Sequence, residues 1–130
     1  MRILVVDDEP VVRELAVEIL RRSGYLPEGA DGAQAALQRL EEEPFDCLLT
    51  DVVMPGMTGL ELLQELRERR HELPVVLMTG GSQEPERTTR AIQLGAARLL
   101  YKPFSHDELR DAVAAALDGG HPRRRTPEAS

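Results

Sequence analysis

Short apolar runs alternate along this chain with longer stretches whose apolar positions recur every three or four residues. That alternation predicts a parallel sheet with crossover helices. Ile3-Leu4-Val5-Val6 is apolar throughout, as a strand buried on both faces should be. Asp8, Glu9 and Pro10 open a helix, with an acid near the cap and a proline where its missing N–H costs little. Val12, Leu15, Ala16, Ile19 and Leu20 follow at helical spacing until Gly24 stops it. A weaker strand lies near Tyr25–Ala30, where Pro27 and Gly29 suit a sheet edge better than its interior. A helix from about Gly32 to Glu42 turns Ala36, Leu37 and Leu40 inward. Cys47-Leu48-Leu49-Thr50 is a third strand, ending at Asp51. Thr58 and Glu61 make a capping box for a helix through about Arg70.

The second half repeats the pattern. Val75-Val76-Leu77-Met78 is a strand ending at Thr79, and a polar loop with Gly80, Gly81 and Ser82 leads to a helix over Pro85–Leu94, closed by Gly95. Arg98–Tyr101 is the fifth strand, and Ser105 with Glu108 caps a last helix through about Asp118. The expectation is a (βα)5 α/β fold, a doubly wound three-layer sandwich with parallel strands in the order 2-1-3-4-5, flavodoxin-like in topology. That order makes the Pro27 strand an edge. The domain is expected over residues 1–118, with 119–130 a flexible tail.

Composition narrows the function classes. A length of 130 residues, 42% hydrophobic and 30% charged, fits one globular domain. A net charge of −7 argues against direct nucleic-acid binding. Arg123, Arg124 and Arg125 against Glu128 leave the tail at +2, so residues 1–118 hold −9. That basic run reads as a plain disordered end, a weak anionic-surface contact or the start of a linker, the first being the simplest. Cys47 is the only cysteine, which excludes an intrachain disulfide, and its apolar neighbours point to an inert thiol. No apolar run approaches the roughly 18–20 residues that span a bilayer, and no leader opens the chain, so a cytoplasmic protein with no membrane contact is expected. His71, His106 and His121 lack metal-ligand spacing and read as surface residues.

Ligands of doubly wound sheets sit beyond the carboxyl ends of the strands at the switch point. Asp7-Asp8, Asp51, Thr79 and Lys102-Pro103 all fall there. Taken one at a time these are a helix cap, a turn former and ordinary loop residues. Taken together they gather three carboxylates, a hydroxyl and an ammonium at one rim. Such carboxylates need a cation or a raised pKa, and Mg²⁺, which prefers oxygen ligands, answers the need. Asp51 could then serve as a carboxylate nucleophile toward phosphorus, with Lys102 offsetting charge.

The strings Val5-Val6-Asp7-Asp8-Glu9-Pro10, Leu48-Leu49-Thr50-Asp51-Val52-Val53-Met54-Pro55-Gly56, Met78-Thr79-Gly80 and Tyr101-Lys102-Pro103-Phe104 resemble, in that order, the receiver domain of bacterial response regulators. The likeness covers about residues 2–118. It implies that Asp7, Asp8 and Asp51 hold Mg²⁺ with the backbone carbonyl of Val53. It implies that Asp51 is phosphorylated by a sensor histidine kinase or a histidine phosphotransfer protein. It further implies that Thr79 and Lys102 contact the phosphoryl group, and that Lys102-Pro103 is cis. The domain would be a switch in phosphorelay signal transduction rather than an enzyme.

Two departures from the family pattern matter. Leu99 stands where a switch aromatic is common, three residues before the lysine; Tyr101 is either an ordinary packed tyrosine or a partial stand-in. Val53 and Gly81 cannot orient a water by side-chain hydrogen bonding, which implies a long-lived phosphoryl group. The output face implied for the fourth helix, fifth strand and fifth helix carries Arg87, Arg90, Arg98, Tyr101, His106 and Arg110. It is either a docking surface for an acidic downstream protein or a homodimer mate, or a solvated helix surface. With no DNA-binding segment in the sequence, a single-domain regulator working by protein contact is the simplest account. An aspartate-nucleophile phosphatase is disfavoured by Val53 where a second acid would stand. A flavin carrier is disfavoured by acidic loops and the lack of tryptophan. A phosphorylation-independent receiver-like binding module is kept open by Leu99.

Overall fold

The computed structural model describes residues 1–80 and 85–119, the side chains of 85–87 excepted. Five strands, β1 (Arg2–Val6), β2 (Leu26–Ala30), β3 (Cys47–Asp51), β4 (Val75–Thr79) and β5 (Arg98–Tyr101), alternate with five helices. These are α1 (Pro10–Arg22), α2 (Ala33–Glu42), α3 (Gly59–Glu68), α4 (Pro85–Gln93) and α5 (His106–Gly119). The sheet is wholly parallel, in the order β2-β1-β3-β4-β5. Residues 81–84 and 120–130, with the loop residues Gly81 and Ser82, His121 and the arginine run, lie outside the described residues, as does the Arg87 side chain.

The period-two alternation of the strands builds two cores. Leu4, Val6, Leu48, Val75 and Leu77 meet α2, α3 and α4 on one face. Ile3, Val5, Leu49, Val76, Met78 and Leu100 meet α1 and α5 on the other. Each strand between is covered twice, which is why the central strands read as unbroken apolar runs. β1 pairs with both β2 and β3, so the crevice above its end is the switch point.

Both capping boxes form. Thr58 accepts from the Glu61 N–H and Glu61 from the Thr58 N–H; Ser105 and Glu108 exchange the same pair. The start of α1 differs from expectation. Glu9 is its N-cap but makes no side-chain capping bond; the Glu9 N–H is instead taken by Asp7 Oδ1 at 2.9 Å. Leu15, placed by spacing on the inward side, is 45% exposed beside Val11 at 79%. α3 stops at Glu68, with Arg69 as C-cap and Arg70 at a φ of +61°, short of the expected end.

The edge strand β2 is held by charge. Glu28 and Glu43 bridge Arg2 and Arg39, and the Arg2 guanidinium lies 4.4 Å from the Phe45 ring centroid. Arg67 of α3 ties down the end of α4: its Nε donates to the Leu94 carbonyl at 3.0 Å and its Nη2 to the Gly95 carbonyl at 3.1 Å. Its Nη1 donates to the His71 carbonyl at 2.9 Å. His71 itself is half-buried rather than a surface residue. Burial, then the Arg67 charge, pushes its imidazole pKa down. Cys47 is buried, and burial raises its thiol pKa to about 12, which makes it inert at neutral pH.

Candidate functional site

The register sets the site. Val6 lies opposite Thr50, so Asp7, just past β1, and Asp51, the last residue of β3, stand side by side. Thr79 lies opposite Tyr101, and the Lys102 N–H bonds the Thr79 carbonyl at 2.8 Å, which brings the lysine to the same rim. The Lys102-Pro103 peptide is cis, as the resemblance implied. Asp7 is 0% and Asp51 7% exposed; Asp8 beside them is the most exposed member of the three.

Lys102 Nζ lies 3.2 Å from Asp7 Oδ2 and 3.4 Å from Asp51 Oδ2. Carboxylate oxygens of Asp7, Asp8 and Asp51 lie within 4.8 Å of one another. Burial, outweighing Lys102 and helped by the Asp7 charge, raises the pKa of the Asp51 carboxyl. Lys102 is pulled down by the same burial, but Asp51 and Asp7 together carry its pKa above the ordinary value. Three hard oxygen donors crowded against one ammonium, with a carboxylate reluctant to ionise, suit a small divalent cation such as Mg²⁺. An open cavity of about 550 Å³ lies over the cluster, lined by Asp8, Glu9, Asp51, Val53, Met54, Pro55, Gly80 and Lys102.

A family model described as the response regulator receiver domain matches residues 3–114. The chain belongs to the response regulator receiver family. The receiver is 34% identical over 120 residues to the transcriptional regulatory protein FixJ of Bradyrhizobium diazoefficiens, covering 92% of this chain and 58% of that one. It is 33% identical over 118 residues to the phosphate regulon transcriptional regulatory protein PhoB of Escherichia coli, covering 89% of this chain and 51% of that one. Among solved structures, FixJ-N matches with a TM-score of 0.83 at 29% identity, covering 90% of this chain and 93% of that one. The receiver domain of NtrX from Brucella abortus matches at 0.83 and 35%, covering 89% and 98%. The receiver spans only about half the length of the curated relatives FixJ and PhoB.

Around this centre, Thr79 is partly exposed and its hydroxyl donates to the Gly80 carbonyl at 3.3 Å. Val53 is 57% exposed at the cavity mouth. Leu99 packs partly buried against the α3–α4 side of the core, while Tyr101 is 47% exposed. Arg90 donates to Gln64 of α3. Arg110 pairs with Asp107 and Asp111, and with Glu108 also exposed this face is mixed in charge rather than basic.

Sequence reasoning passed over two neighbours of Asp51. The buried Thr50 hydroxyl donates to the Asp51 carbonyl at 3.1 Å. Gly59 lies so close that a Cβ there would stand 2.2 Å from the same oxygen. A threonine before the acid and a glycine just after a cap were the available signals, each too common to single out.

Proposed function

We propose that this receiver accepts a phosphoryl group on Asp51 from the phosphohistidine of a sensor histidine kinase or histidine phosphotransfer protein. The observation that carries the reading is the Asp51 carboxylate itself, nearly buried at the open end of the sheet between Lys102 and two further acids. In the step, an Asp51 carboxylate oxygen forms a bond to phosphorus as the P–N bond breaks, and the imidazole keeps the electron pair and takes up a proton. Asp7, Asp8, Asp51 and the Val53 carbonyl would hold Mg²⁺, which when bound supplies positive charge to the transferring oxygens. Lys102 would pass from pairing carboxylates to pairing the phosphoryl group, and the Thr79 hydroxyl would turn from the Gly80 carbonyl to donate to it.

The domain then works as a cytoplasmic signalling switch, not a turnover enzyme. Its output is a protein contact, with a downstream protein or a second copy, through α4, β5 and α5; Tyr101, Arg90 and Arg110 lie exposed on that side. Apolar Val53 beside the acceptor favours a long-lived acyl phosphate, since it cannot align an attacking water.

The test is intact mass after incubation with a small-molecule phosphodonor such as acetyl phosphate, with and without Mg²⁺. One phosphate adduct is expected, dependent on Mg²⁺ and lost in Asp51→Asn. No adduct under any condition would refute the reading in favour of a phosphorylation-independent binding module, the one specific support for which is Leu99 fixed in the core side of β5.

A further inference from the structure

Arg13 sits on the second turn of α1, outside the ring of groups so far described, and is half-buried. Its Nη1 donates to the backbone carbonyl of Asp7 at 2.8 Å. That oxygen lies just past the last paired residue of β1, where Val6 faces Ala30 and Thr50, so the regular sheet ladder stops before it. A buried carbonyl needs a donor, and Arg13 supplies one. The other polar groups of the fully buried Asp7 are also spoken for. Its N–H bonds the Ala30 carbonyl at 3.2 Å, Oδ1 accepts from the Glu9 N–H, and Oδ2 accepts from Lys102.

The path of the Arg13 stem depends on β2. It crosses Gly29, where an added Cβ would lie 3.1 Å from Arg13 Cδ and 3.3 Å from Cγ. A glycine in a strand interior is a weakness for the strand and often marks a close approach by another group. Here the approaching group is the arginine that holds Asp7. We propose that Arg13 is a positioning residue for the acidic cluster, fixing the backbone of Asp7 through a passage that Gly29 keeps open. The inference rests on the reading that Asp7, Asp8 and Asp51 take up a divalent cation.

Charge and position make opposite demands on the test. Removing a cation from the neighbourhood of three carboxylates should tighten Mg²⁺ binding. Loosening the backbone that aims Asp7 should weaken it, and partners of metal ligands typically account for about 10–100-fold in affinity. Calorimetric titration with MgCl₂ is therefore run on the full chain, on Arg13→Met, Arg13→Lys and Gly29→Val, and on the double variant. Melting in EDTA is recorded alongside.

The expected result is an affinity roughly tenfold weaker in Arg13→Met, with most of it restored in Arg13→Lys, which keeps a donor. Gly29→Val, a substitution that favours a strand, should weaken Mg²⁺ binding in the presence of Arg13 and add nothing in its absence. Should Arg13→Met fail to melt cooperatively, Gly29→Val carries the same test. Wild-type affinity or tighter in Arg13→Met and in Gly29→Val would overturn the inference and leave the cation site standing. A wild-type chain that does not bind Mg²⁺ would overturn the reading beneath it, and the inference with it.

Discussion

Replacing Asp51 with asparagine should make the metal-free protein more stable. The oxygens of Asp7, Asp8 and Asp51 lie within 4.8 Å of each other, and at an effective dielectric near 20 each such pair of charges repels by roughly 3.5 kcal/mol. The Lys102 ammonium at 3.4 Å returns about 5 kcal/mol to Asp51 on the same scale. Burial disfavours the Asp51 charge by more than Lys102 favours it, and Asp7 adds to the cost, so the charge is a net burden on the metal-free fold. Asparagine removes the charge and keeps the shape, while Lys102 retains Asp7 as a partner at 3.2 Å. A gain of about 1–2 kcal/mol is expected, or a Tm higher by about 4–8 °C.

The assay is thermal melting of both proteins in EDTA and again in excess MgCl₂. A ligand at a hundred times its Kd stabilises by about 2.7 kcal/mol, and that gain should fall mainly to the wild type. The pH dependence has a definite sign. With its folded pKa above the ordinary value, Asp51 holds its proton in the folded state where the unfolded chain has lost it. Wild-type stability attributable to Asp51 therefore falls as pH rises from the ordinary carboxyl pKa through the raised one. The advantage of Asp51→Asn should grow as pH rises through the raised pKa and fade on acidification. A variant that melts at or below the wild type in EDTA would refute the electrostatic argument.

Three further outcomes are expected. Gly59→Ala should destabilise by about 2 kcal/mol or more despite alanine's better helix propensity, because its Cβ would stand 2.2 Å from the Asp51 carbonyl; an unchanged urea midpoint would contradict it. Leu66→Ala, at a site 1% exposed, should cost about 2–5 kcal/mol with an unchanged urea m-value. For His71, a lowered folded pKa means that stability is lost as pH falls below the ordinary histidine value; His71→Gln should flatten the stability profile between pH 7 and 5, measured by urea unfolding.

Most of the fold was legible because its signals are local and repeated. Strands covered on both faces, such as Ile3–Val6 and Val75–Met78, carry no polar interruption, and Pro27 could only sit at an edge. The rim residues were legible because topology forces every strand end to one side, which turns Asp7, Asp51, Thr79 and Lys102 into neighbours. What escaped was decided by side-chain aim. Arg13 and Arg67 reach backbone carbonyls on other elements, and a carbonyl acceptor leaves no residue type to recognise. Val11 and Leu15 sit at an exposed edge of α1 because its buried stripe runs through Ala16, Ile19 and Leu20. The output face looked basic because arginines were counted without the acids at helical spacing; Asp107 is three residues before Arg110.

The grip of Arg67 on Leu94 and Gly95 gives α4 a fulcrum. The helix spans nine residues, about 13 Å, and it is held at the end away from Pro85. A tilt of roughly ten degrees about that end would sweep the Pro85 end through about 2 Å, while the anchored end barely stirs. Arg67→Met would strip the Leu94 and Gly95 carbonyls of that shared donor and leave the helix without its fulcrum.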